Sequence, residues 1–185
     1  RRSQTLLGDR GRCCGGYGAF SVNVGEIGNQ NAILTGVRAA WVMGGGFGMG
    51  FGGYVLANDV VFDYVDPGRN LQLEMAYGGL FLEPMIATSK PIHLSFPILL
   101  GMGGAVYTER SFRYNRRFDW DRDVEDSDIF FVLEPGAYLE FHIVRFFRIG
   151  LGAQYRILSD LDLMNTANDA FNGWTAGLTL KFGNY

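Results

Sequence analysis

Hydrophobic and polar side chains alternate with a period of two through most of this chain, the pattern of strands with two unlike faces. In 129–143, Phe131, Leu133, Pro135, Ala137, Leu139, Phe141 and Ile143 share one face, and Glu134, Gly136, Tyr138, Glu140 and His142 the other. In 147–158, Phe147, Ile149, Leu151, Ala153, Tyr155 and Ile157 oppose Arg148, Gly150, Gly152, Gln154 and Arg156. Near the end, Trp174, Ala176, Leu178, Leu180 and Phe182 oppose Thr175, Gly177, Thr179 and Lys181. Turn signals divide the chain into eight predicted strands: 16–25, 32–43, 47–58, 71–85, 93–109, 129–143, 147–158 and 173–183.

Most of these are longer than soluble strands and reach the roughly 9–11 residues with which a tilted strand crosses a bilayer. Their connections alternate. Residues 44–46, 87–91 and 144–146 are short, whereas 26–31, 59–70, 110–128 and 159–172 are longer and more polar. Short turns at one end and long loops at the other are the sidedness of a membrane barrel.

The apolar rows are bulky, and the interior of an eight-stranded barrel is only wide enough to be filled by side chains. The pattern therefore predicts an inside-out arrangement, with large apolar residues facing lipid and the glycine-plus-charge rows facing inward. The fold class expected is all-β: an eight-stranded antiparallel up-and-down transmembrane β-barrel over 15–185, preceded by a polar extension over 1–14. A soluble lipocalin-type barrel with the apolar rows inside is the alternative.

The inward rows become a charge inventory. Arg38, Arg148, Arg156 and Lys181 face Glu74, Glu83, Glu134 and Glu140, with His93 and His142 on the same rows. An unpaired buried charge is costly, so an even count predicts an ion-paired, plugged interior. Segment 71–85 changes phase: Leu71, Leu73, Met75 and Tyr77 are apolar at odd positions, Leu80, Leu82 and Pro84 at even ones. A bulge at Gly78-Gly79 is predicted to restore the phase, so that Glu83, like Glu134, faces inward and Pro84, like Pro135, outward. It aligns Leu82-Glu83-Pro84 with Leu133-Glu134-Pro135, where proline breaks the ladder locally. Aromatics gather toward strand ends and predict interfacial girdles: Trp41, Phe47, Phe146, Phe147, Phe182 and Tyr185 at one, Phe62, Tyr64, Tyr107, Phe130, Phe171 and Trp174 at the other.

Composition narrows the class further. The 185 residues suit one domain, and 27 glycines with 15% aromatics suit strands rather than helices. Between Arg38 and Asp59 no residue is charged, but seven glycines in the ten positions 44–53 argue against a membrane helix. A net charge of −3 with 48% hydrophobic residues speaks against a disordered tail and a nucleic-acid partner. Cys13 and Cys14 are neighbours, too close for an unstrained disulfide, and are expected to be free thiols. No metal or cofactor constellation is present in the sequence. The chain opens at Arg1 without a signal peptide, as a mature chain does after removal of its export signal.

Gly15-Gly16-Tyr17-Gly18 at the start and Gly177-Leu178-Thr179-Leu180-Lys181-Phe182-Gly183-Asn184-Tyr185 at the end resemble the small eight-stranded outer-membrane barrels of the OmpA/OmpX-like superfamily, in particular barrels of this kind from Bacteroidota. The resemblance covers 15–185. It implies the bacterial outer membrane as location and recognition of the final strand by the barrel-assembly machinery. Tyr185 is out of phase with the outward row, and Phe182 takes the role of the terminal aromatic. No functional residues come with the resemblance.

In 110–128, Arg113, Arg116, Arg117 and Arg122 mix with six acidic residues and with Phe112, Tyr114, Phe118 and Trp120. Asp119-x-Asp121-x-Asp123 lacks the glycine and terminal Glu of a calcium loop. Arg113, Arg116, Arg117, Phe118 and Trp120 are instead read as a contact surface for a partner or lipopolysaccharide. The leading expectation is a non-enzymatic outer-membrane barrel, structural or an accessory subunit of a larger complex with other outer-membrane proteins. A lipid- or peptide-modifying enzyme is the runner-up, because Ser95, Glu140 and a histidine lie near in parity. A narrow channel is a third reading.

Overall fold

A computed structural model of the chain describes residues 14–27, 30–43, 46–58, 60–61, 71–88, 90–109, 124–159 and 171–184. They are all strand and turn. The elements are β1 (Cys14–Ile27), β2 (Gln30–Met43), β3 (Phe47–Leu56), the short β4 (Val60–Val61), β5 (Leu71–Ile86), β6 (Ile92–Ser95), β7 (Ile98–Glu109), β8 (Val124–Val144), β9 (Phe147–Leu158) and β10 (Gly173–Asn184). β6 and β7 are one strand interrupted at Phe96-Pro97. Ser95 stands opposite Tyr138 and Ile98 opposite Pro135, so the register on β8 carries straight through.

Each long strand pairs antiparallel with its neighbour in sequence, and β1 closes the ring against β10. The wall is thus an eight-stranded up-and-down barrel. β8 begins at Val124, so it takes the last residues of the expected 110–128 loop into the wall. The β2–β3 turn ends on Gly46, whose φ of +87° and 2.6 Å Cβ clearance from the Met85 carbonyl leave room for no side chain.

The faces are disposed as the alternation predicts. Leu139, Leu151 and Leu178 stand side by side across three strands and are 40, 52 and 39% exposed, whereas Arg148 is 3% and Glu140 0% exposed. Val37, Trp41, Phe51, Phe131 and Trp174 also project outward. A continuous apolar exterior of this extent has no stable contact with water. No helix among the described residues is long and apolar enough to cross a membrane; the crossing elements are strands.

Segment 71–86 departs from expectation. β5 pairs without a break on both sides: Gly52 meets Gly79 and Gly53 meets Gly78 on β3, while Gly78 meets Met102 and Gly79 meets Gly101 on β7. No bulge forms, because paired glycines cross the wall there without needing one. Leu73, Met75 and Tyr77 therefore point inward with Phe81 and Glu83, and Glu74 points outward and is exposed. Phe130 and Phe171, expected in an interfacial girdle, are likewise fully buried inside. They join Ile27, Leu34, Leu73, Met75, Leu99, Val132 and Leu158 in an apolar cluster inside the barrel.

Candidate functional site

Inward side chains are accommodated by a simple cross-strand rule. Tyr17 faces Gly183, Tyr54 faces Gly36, Tyr77 faces Gly103 and Tyr138 faces Gly152. The large polar residues follow suit, with Arg38 opposite Gly52, Glu83 opposite Gly48, Glu140 opposite Gly150 and Gln154 opposite Gly136. Each glycine leaves the volume into which its partner leans.

Toward the short turns the charges meet. Lys181 Nζ lies 2.5 Å from Glu83 Oε1 and also binds Glu140 Oε1. Tyr17 donates its hydroxyl to Glu83 Oε2. Ser95 donates to Glu140 Oε1 at 2.7 Å, and His93 Nε2 lies 3.0 Å from Glu140 Oε2. Arg148 Nη1 is 3.3 Å from His93 Nε2 and 3.9 Å from Glu140 Oε2. The His142 ring sits 5.1 Å from that of His93, half-buried at this mouth of the barrel. The buried carboxylates are compensated by cations and hydroxyl donors together, as a low-dielectric interior requires.

The arrangement of Ser95, Glu140 and His93 is not that of a nucleophile and its base. Glu140 lies between the hydroxyl and the imidazole, so His93 does not receive the Ser95 proton. All three are buried on the inner face of the barrel. His142, the other histidine near this site, packs its ring against that of His93.

Higher in the barrel the contacts are of a different kind. Gln154 donates its amide to Glu134 Oε1, and Tyr138 Oη lies 3.0 Å from Gln154 Oε1. Arg156 Nε donates to the Phe171 carbonyl at 2.9 Å. Arg38 spreads its guanidinium over the Phe81 ring, 4.6 Å from the centroid. Of the ten residues placed on the inward rows, then, Glu83, His93, Glu140, Arg148 and Lys181 come together, with His142 beside them. Glu134 and Arg156 bind elsewhere, to Gln154 and to the Phe171 carbonyl; Arg38 lies over Phe81 and is coupled electrostatically to Glu83; Glu74 is on the other side of the wall. The parity slip of 71–86 concealed Glu74; only the continuous β5 pairing reveals it. The partner-contact residues Arg113, Arg116, Arg117, Phe118 and Trp120, and Cys13, lie outside the described residues.

Three prolines mark a second feature that sequence reasoning saw only in part. Pro84 pairs with Phe96, and Gly136 donates to Pro97 at 2.7 Å. On β8–β9 the register skips Glu134 and Pro135. Pro84, Pro97 and Pro135 thus remove one ladder donor from each of three consecutive seams. On the outer surface, the facing pair Gly53 and Gly78 leaves a groove of about 510 Å³ bordered by Phe20, Val37, Val55 and Met102.

A closed eight-stranded barrel with an apolar belt outside and ionised residues inside is the architecture of the small outer-membrane β-barrels, which sit in the bacterial outer membrane. Solved structures of such proteins superpose on this chain. Ail, the attachment invasion locus protein of Yersinia pestis, in complex with the heparin analogue sucrose octasulfate, matches with a TM-score of 0.55 and 11% identity, over 93% of this chain and 99% of its own. Neisserial surface protein A matches with a TM-score of 0.55 and 8% identity, over 91% and 96%. The N-terminal β-barrel domain of Pseudomonas aeruginosa OprF matches with a TM-score of 0.52 and 11% identity, over 90% and 96%. At these identities the likeness is one of fold. No family model matches the sequence, and no curated protein does.

Proposed function

We propose that this protein is a non-enzymatic barrel of the bacterial outer membrane with a plugged interior, acting as a structural protein or as an accessory subunit of a larger outer-membrane assembly. The observation that supports the reading is the set of large inward side chains that are buried among the described residues. They come from every long strand, ion-paired toward the short turns and apolar toward the loops. Such an interior supports rigidity and a surface role better than solute passage or turnover. The buried position of Ser95 and its separation from a histidine favour this over a lipid- or peptide-modifying enzyme.

Function then belongs to the loops and the lipid-facing wall. Arg113, Arg116 and Arg117 with Phe118 and Trp120 make a contact surface for polyanionic saccharide, lipopolysaccharide above all, or for a neighbouring outer-membrane protein. That Ail is solved with a sulfated sugar analogue supports a saccharide on a barrel of this shape. Residues 1–14 are read from the sequence as a polar extension preceding the barrel domain of 15–185. During biogenesis the β10 strand is the segment that the barrel-assembly machinery would read.

Isolation from native membranes in mild detergent tests the proposal. The expected result is a heat-modifiable, detergent-partitioning protein that retains a stoichiometric outer-membrane companion or lipopolysaccharide. A lone monomer without either counts against the accessory role. Sustained single-channel currents in planar bilayers would overturn the plug. Turnover of lipid A or phospholipid, abolished by His142→Ala, would reverse the ranking toward an enzyme.

A further inference from the structure

We infer that the outer wall carries a binding site for one membrane lipid with an ammonium headgroup, laid along β3 and β5 with its chain toward the bilayer midplane and its head toward the long loops. The site rests on the membrane placement of the wall and not on the accessory role. It begins with a fault in the ladder. β3 pairs with β5 as far as Val55–Ala76, and β4 resumes the pairing at Val60–Leu73. Among the described residues, Glu74 and Met75 thus have no ladder partner on that side. The chain after Leu56 turns to β2 instead. Ala57 N donates to the Ile33 carbonyl at 2.7 Å. Asn58 accepts from Ile33 N at 2.6 Å and donates to the Asn31 carbonyl at 2.9 Å.

This departure opens a cleft of about 430 Å³ in the outer wall, with Ala57 and Asn58 on one side and Glu74 and Gly104 on the other. It runs into the apolar groove described above, since Val55 and Ala76 line both. Gly53 and Gly78 form the floor of that groove, and Phe20, Val37 and Met102 rise around it. None of the described residues that line the groove is charged. Glu74, exposed on the outer face, is the one ionisable side chain among the described residues that line the cleft.

The order along the strand is that of a lipid: an apolar groove nearer the middle of the wall, then a polar cleft on the loop side. From Gly78 to Glu74 the β5 backbone rises roughly 13 Å. That is close to half of a hydrocarbon core about 30 Å thick, the depth of one leaflet.

Lipid tails are as apolar as the wall, so hydrophobicity does not choose the occupant. Shape and charge do. A flexible chain seated on the glycine floor touches Phe20, Val37 and Met102 together and gains dispersion contacts. In the cleft, strand alternation turns the N–H and C=O of either Glu74 or Met75 toward the missing ladder partner. Those groups and the carboxylate suit a zwitterionic aminophospholipid, whose ammonium Glu74 attracts. An anionic headgroup meets the same carboxylate with repulsion.

The test is native mass spectrometry of the whole protein in nonionic detergent, titrated with phosphatidylethanolamine or phosphatidylglycerol of identical chains. A single saturable adduct is expected, with phosphatidylethanolamine favoured about fivefold. Ala76→Phe, at an exposed position where cleft and groove meet, should lower its affinity roughly tenfold. Thr35→Phe, on the groove, serves if that variant does not fold. Ala137→Phe, exposed on the outer face of β8, should leave binding unchanged. Glu74→Gln should keep the adduct but bring the two lipids to equal affinity. A run of adducts that never saturates would overturn the site, as would binding indifferent to both groove variants. Equal affinity of the parent protein for both lipids, or a preference for phosphatidylglycerol, would overturn the ammonium headgroup.

Discussion

Tyr138 of β8 stands directly across the seam from Gly152 of β9, where a Cβ would lie 2.6 Å from the Tyr138 ring. The same relation holds for the other inward tyrosines, so these glycines are occupied space. Gly152→Val is expected to destabilise the barrel by about 3 kcal/mol or more, since overpacking forces ring and backbone apart. Gly18→Val, at an outward position with nothing within 4 Å, should stay within about 0.5 kcal/mol of the parent. Urea unfolding in lipid vesicles measures both, and equal costs would contradict the rule.

Lys181 reaches two buried carboxylates at once. Lys181→Met strands both and should cost about 3–5 kcal/mol. Adding Glu83→Gln to that variant should restore part of the loss, because one stranded charge is then removed. A double-mutant cycle on equilibrium unfolding reads the coupling; strict additivity would show that the contacts do not share one energy.

Pro97 receives a bond from Gly136 through its carbonyl and returns none. Pro97→Ala supplies the missing N–H and is expected to stabilise by roughly 1 kcal/mol. Hydrogen exchange along β6–β8 should slow around Gly136. Faster exchange there would mean that the ring packing of buried Pro97 matters more than the ladder bond.

Trp41 and Trp174 project outward at opposite ends of the wall, 65 and 67% exposed. In single-tryptophan variants both should be quenched by brominated lipid and shielded from aqueous iodide. Leu151→Arg, at the middle of the outer face, should cost about 2–4 kcal/mol in a bilayer. Iodide quenching of both tryptophans would place these faces in water and sink the membrane reading.

Much of this was legible in the residues. Alternation along 129–143, 147–158 and 173–183 assigned each side chain to the correct face, because in a strand the period of two is set by local geometry alone. It also told which face was greasy, and loop lengths told which end was which. Segment 71–86 escaped it. There the inward row changes character midway, from apolar Leu73, Met75 and Tyr77 to Glu83, while the backbone keeps its phase. A pattern that equates inward with polar cannot see such a change.

The amino-acid sequence by itself determined the strands, their two-faced character and the inside-out sense of the barrel, because these depend on neighbours two residues apart and on bulk. Only the tertiary structure decided which charges meet. Lys181 and Glu83 are separated by 98 residues, and Arg38, from a third strand, lies over the Phe81 ring. The partners of a buried charge are fixed by register around the closed ring, and the phase kept by β5 sends Glu74 out of the lumen.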